Sequence, residues 1–96
     1  DGEAAVVVGR GDGFVVRYRV SDGVHLGTFR VGRDVRAVAV VHDLLAAGGP
    51  DGFVLLNLQF REVGRYTDAV DTLCAVGGHL AVGYSSGAIG IVKFGK

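Results

Sequence analysis

Apolar residues in this chain fall into short runs, each cut off by Gly, Asp-Gly or Ser-Gly, and no stretch carries a helical period with caps at its ends. Val, Leu, Ile, Phe and Tyr fill the runs, so the pattern predicts strands throughout and an all-β fold. Positions 3–9 read as a strand, 9–13 as a tight turn and 14–20 as the partner strand. Ser21-Asp22-Gly23 turns the chain again into a strand over 25–31, and 35–42 opens the next stretch.

The segment 48–58, GGPDGFVLLNL, has two counterparts: GRGDGFVVRYRV at 9–20 and GYSSGAIGIVKF at 83–94. Between the second and third copies one spacing holds across many positions. Val35 matches Val70, Val38 matches Leu73, Leu45 matches Leu80, Gly48 matches Gly83 and Gly52 matches Gly87, each pair 35 positions apart. Every unit runs apolar strand, short turn, second strand ending in Gly, Gly-rich turn, third strand, then a fourth strand leading into the next unit. A repeat of roughly 35–45 residues with four short antiparallel strands predicts β-propeller blades, whose sheets are buried only when neighbours stack on them. Phe53, Val54, Leu55, Leu56 and Leu58 are apolar on both alternating faces, as a sandwiched sheet requires. Arg17 and Arg19 share one face of the first unit, which predicts a wet face or arginines carried to a blade edge.

On these residues the chain resembles the WD-repeat β-propellers. The resemblance spans most of the chain and rests on the Gly-x-x-Asp-Gly turn before alternating apolar residues, at Asp12-Gly13 and Asp51-Gly52 and, degenerately, at Ser86-Gly87. The family's Trp-Asp pair would fall at Tyr18-Arg19, Asn57-Leu58 and Val92-Lys93 and is missing each time; its Gly-His opening is absent too. The first unit, over 6–29, is also similar to quinoprotein-type propeller repeats. In family order the strands make the last three of one blade, all four of a second and the first three of a third, with approximate units 1–34, 35–69 and 70–96. Propellers close with roughly four to eight blades, so the expectation is an incomplete ring. Its open end sheets would pair with further blades, with more copies in a homo-oligomer, or with the rest of a larger chain. A fragment of a longer propeller is favoured, also because no Met occurs, even at position 1; an engineered self-assembling propeller with no activity of its own is the alternative.

Composition narrows the function classes. Apolar residues make up 49% of 96 positions, more greasy surface than so short a chain hides alone. Ten basic and ten acidic side chains cancel without a run of either sign, which argues against nucleic acid or an anionic membrane as partner. No apolar run is long enough to span a bilayer. The single cysteine, Cys74, cannot form an internal disulfide, which favours a reducing, cytoplasmic setting, and its apolar surroundings predict a buried small hydrophobe.

Candidate chemistry is sparse. Gly9-x-Gly11-x-Gly13 precedes a strand rather than the helix a phosphate-cradling loop needs, so it reads as a hairpin turn. Arg10-Gly11-Asp12 spells an adhesion tripeptide, but its counterparts, 49–51 and 84–86, do not, so the turn explains it. His25, His42 and His79 occupy unrelated positions without ligand spacing, and no nucleophile, base and acid set can be assembled. The expectation is therefore no catalytic, cofactor or metal site, and the resemblance to WD-repeat propellers implies a protein–protein interaction scaffold. In WD-repeat relatives the Gly-rich turns and the links between blades lie on one partner-binding face, which by resemblance singles out Arg10, Asp12, Arg33, Asp34, Asp51, Asp68 and Tyr84. The rival is an enzyme or cofactor-binding propeller of quinoprotein or hydrolase type, which would need a polar, metal- or cofactor-lined channel.

Overall fold

A computed structural model describes residues 5–93. Among them are ten strands: β1 (Ala5–Gly9), β2 (Phe14–Arg19), β3 (His25–Arg30), β4 (Ala37–Val41), β5 (Leu44–Gly49), β6 (Gly52–Leu56), β7 (Glu62–Tyr66), β8 (Val70–Val76), β9 (His79–Tyr84) and β10 (Ile89–Val92). All neighbouring strands pair antiparallel. They form a three-stranded sheet β1-β2-β3, a four-stranded sheet β4-β5-β6-β7 and a three-stranded sheet β8-β9-β10. This is the arrangement the repeat predicts: three, four and three strands of successive blades. The expected strand at 3–9 begins within the described residues at Ala5, and Glu3 and Phe94 lie outside them.

Strand alternation explains why the middle sheet is apolar on both sides. Leu45, Ala47, Val54 and Leu56 point one way and pack, with Val35, against Val15 and Val31 of the first unit. Ala46, Phe53 and Leu55 point the other way and pack, with Val41, against Val70, Leu73, Leu80 and Val82 of the third. Two cores result, one on each side of the middle sheet. Burying each of the Val, Leu and Phe side chains among them is worth about 1.5–3 kcal/mol, so packing against both neighbours contributes much of what holds the middle sheet. Leu58 departs from the expectation for 53–58. It lies beyond the end of β6, in the turn before β7, and is 54% exposed.

The three Gly-rich turns share a backbone signature. Gly13, Gly52 and Gly87 have φ of 93°, 110° and 95°, a region that side-chain-bearing residues avoid. Beyond the turns the register differs. Gly48 pairs with Phe53 in the middle sheet, but Gly83 pairs with Ile89 in the third, because Tyr84 N–H donates to Ala88 O and takes one more residue into the turn. The common spacing therefore ends at the turn glycine, and β10 is displaced by one residue. Since a one-residue slip exchanges the faces of a strand, Ile89 and Ile91, not Ala88 and Gly90, stand where Phe53 and Leu55 stand.

The outward faces of the end sheets carry exposed apolar side chains among the described residues. Val6 and Val8 are 47% and 42% exposed on the first, and Val76, Ile89 and Ile91 are 54%, 80% and 55% exposed on the third. Cys74 belongs to this face. It was expected to be buried, but Leu73 is the residue that turns toward the middle sheet, so the next side chain along β8 turns outward and is exposed.

Candidate interaction surface

The turns that follow β1, β5 and β9 and the links that precede β4 and β8 meet at one end of the sheets, tied by main-chain bonds. Val35 N–H donates to Arg10 O at 3.2 Å, Arg36 N–H to Gly48 O at 2.8 Å and Ser85 N–H to Ala69 O at 3.0 Å. Backbone approach at this end is tight enough that only glycine fits at two turns. A Cβ on Gly13 would lie 1.7 Å from Gly32 O, and one on Gly52 would lie 2.0 Å from Tyr66 O.

Side chains continue this lacing into an exposed rim. Arg10 pairs with Asp12 across the first turn, so the two charges of the adhesion tripeptide engage each other. Asp51, in the second turn, accepts from the Arg33 backbone N–H at 2.8 Å and from Arg33 Nε at 3.0 Å. The N–H bond above all, with the guanidinium beside it, holds the Asp51 carboxyl below its ordinary value. Asp34 Oδ2 lies 3.8 Å from Arg36 Nε. Arg36 Nη1 reaches across to Asp71 Oδ1 at 3.2 Å, and the same oxygen accepts from Ser85 Oγ at 2.8 Å. Asp68 and Tyr84 line an open hollow with Ala69, Ser86 and Ala88.

All seven residues singled out in the sequence thus lie at this one end. Arg33 joins Asp51, Arg10 joins Asp12, and Asp68 and Tyr84 share the hollow. The third unit repeats the place but not the chemistry of the second: Asp68 stands where Arg33 stands, and Ser86 where Asp51 stands, so the ion pair is replaced by a hollow. Arg36, Asp71 and Ser85 complete the rim and were not anticipated. The signal that could have found the first two is their common repeat position with opposite charge.

At the opposite end, between the first two sheets, a cleft of about 170 Å³ is lined by Ala5, Val7, Val40, Leu45 and Phe60 among others. Arg17 enters it with its guanidinium 5.0 Å from the centre of the Phe60 ring. Arg19 does not share that setting; it pairs with Asp22 at 3.0 Å in the hairpin turn. The Arg19 side chain, with the Val24 N–H, keeps the Asp22 carboxyl below its usual range. His25 packs edge-on to Tyr18 and bonds Thr28 Oγ1 at 2.6 Å, while His42 lies near Gly78. Among the described residues no cluster of three or more His, Cys, Asp or Glu side chains could hold a metal ion.

No protein-family model and no curated protein matches the sequence. Among solved structures, BamB from Moraxella catarrhalis superposes with a TM-score of 0.77 at 24% identity, over 94% of this chain and 30% of that one. The computationally designed Ika4 protein gives 0.78 at 19% identity, over 99% of this chain and 63% of its own. The β-propeller domain of Cps50 (Swd1) from Myceliophteria thermophila gives 0.74 at 17% identity, over 96% and 33%.

The sheets are propeller blades. At these identities the likeness concerns the fold alone, that of a partial, WD-like β-propeller, and the chain spans less than two thirds of each of these structures. The propeller expected from the 35-residue spacing is therefore the architecture found.

Proposed function

We propose that this chain is a protein-interaction scaffold without chemistry of its own, and that the rim around Arg33 and Asp51 is its partner surface. One observation carries the reading: the hairpin turns of three successive blades and the links between blades hold Arg10, Asp12, Arg33, Asp34, Asp51, Asp68 and Tyr84 at one end, with the charged groups exposed. Binding residues on loops fixed by a rigid scaffold form a ready recognition surface at small entropic cost. The mixed signs suit a partner with its own mixed charges, and the neutral overall balance gives no long-range steering toward polyanions.

Charge reversal at Arg10 and Arg33 together tests this. Arg33 is 73% exposed, so the double variant R10E/R33E keeps its fold. Partner affinity is expected to fall; unchanged affinity with an unchanged circular dichroism spectrum would remove the proposal.

A second reading, assembly with further blades, is favoured by the uncovered apolar faces of the end sheets, Ile89 and Ile91 above all. Contiguous exposed apolar surface of this kind marks association sites. The two readings use different parts of the molecule and are compatible.

A further inference from the structure

Three departures from ordinary packing converge on the cleft between the first two sheets. Arg17, on the face of β2 that turns toward the middle sheet, has its ε nitrogen buried without a hydrogen-bond partner, and a buried donor left unmet is costly. Phe60 and His42 are the two described residues other than glycine with positive φ, 60° and 55°. Both line the same cleft as Arg17. A left-handed backbone is uncommon for a bulky aromatic residue, and strain of this kind collects where side chains are held for a ligand.

The turn after β6 holds Phe60 in place. Asn57 Oδ1 accepts from the Gln59 and Arg61 N–H groups at 3.0 Å each, and Phe60 N–H donates to Asn57 O at 2.9 Å. The ring reaches across to the first unit, where a Cβ on Gly27, the strand partner of Arg17, would lie 3.2 Å from Phe60 Cδ2. Glycine there leaves room for the ring, whose centre is 5.0 Å from the Arg17 guanidinium. Val7, Val40, Leu45 and Leu58 add apolar wall. The volume of about 170 Å³ is close to the ~150 Å³ of a cavity that takes up benzene.

We propose that this cleft binds a small organic acid, a free monocarboxylate whose apolar part is about the size of a benzene ring. The carboxylate would pair with the Arg17 guanidinium through two parallel N–H···O bonds, one of them from the unmet ε nitrogen as that edge turns to the cleft. The apolar part would lie between Phe60 and the aliphatic wall. An apolar lining with one or two placed polar groups is how small ligands are oriented. Asp43, also on the wall, is exposed to water and so repels the anion little. The cleft lies at the opposite end from the rim and is walled by the first two units alone, so a failed rim would leave it standing.

The probe is benzoate, with uncharged benzamide as its control, titrated into the full chain and followed by the amide and arginine Nε–H signals in heteronuclear NMR spectra. Saturable shifts at His42, Phe60 and the Arg17 Nε–H are expected with benzoate. Affinity should be about tenfold or more weaker for benzamide, and for benzoate on Arg17→Met, the effect of losing a hydrogen bond to a charged group. R10E/R33E should bind benzoate as the wild type does. If Arg17→Met does not fold, the comparison of benzoate with benzamide on the wild-type chain still decides. Absence of saturable shifts in the cleft, benzamide that matches benzoate, or benzoate bound equally well by a folded Arg17→Met would overturn the proposal. So would a peptide ending in phenylalanine that displaces benzoate at lower concentration, because the carboxylate recognised would then be a protein chain end.

Discussion

Arg36 and Asp71 hold the same position in successive repeats, and the guanidinium of the first donates to the carboxylate of the second at 3.2 Å. A repeat that places opposite charges at equivalent sites can lace one blade to the next along the rim, and here Ser85 ties the same carboxylate to the turn after β9. Both partners of the ion pair are about half exposed, so water and salt screen the attraction. Asp71→Ala is expected to cost about 0–1 kcal/mol in denaturant unfolding, with less effect in high salt. A loss of several kcal/mol would show that the lacing, rather than the two apolar cores, holds the blades together.

Asp51 gives the rim a pH dependence. Its carboxyl is held below the ordinary value of 3.8 in the folded chain, first by the Arg33 N–H and then by the Arg33 charge. A lowered folded value means that the stabilisation is fully present above the ordinary value and is lost as pH falls through the folded one. Thermal melts should therefore weaken on acidification below about pH 4. Asp51→Asn should flatten that decline without abolishing it, because Asp22 and Glu62 are lowered as well, each by an arginine beside it. Identical acid profiles for wild type and variant would refute the role given to Asp51.

The turn glycines differ in what surrounds them, and this separates three chemically identical substitutions. Gly52→Ala forces a Cβ against Tyr66 O and Gly13→Ala one against Gly32 O, whereas Gly87→Ala meets only the strain of its positive φ. That strain is worth about 1–2 kcal/mol. The first two variants should lose clearly more stability than the third in chemical denaturation. Equal losses at all three would mean that the third turn is as enclosed as the others.

Much of this architecture was legible in the residues. The turn glycines and the shared spacing of Val35 with Val70, Val38 with Leu73 and Leu45 with Leu80 reflect one physical demand, that each sheet be apolar on the side where its neighbour packs. That demand is written in side chains and survives without the Trp-Asp and Gly-His signatures. The displacement of β10 was hidden because it arises in the turn, where Tyr84 N–H bonds to Ala88 O, and a main-chain bond leaves no mark on composition. Cys74 was misplaced for a related reason. Alternation along β8 says that Leu73 and Cys74 point opposite ways, but not that one of those faces has no neighbour among the described residues. For the rim, a repeat register brought the seven residues to one end, while the cross-blade pair of Arg36 and Asp71 needed the fold to bring its halves within reach.

On the proposed reading the rim, and not a cleft or a buried site, is where this chain meets a protein partner. The most direct test is to select binders from a displayed protein library on the wild-type chain and to measure the same binders on R10E/R33E. Most should lose affinity by about tenfold or more, the effect of removing a favourable charge contact and installing a repulsive one, while the variant stays folded. Binders that hold the folded variant as tightly as the wild type would contradict it.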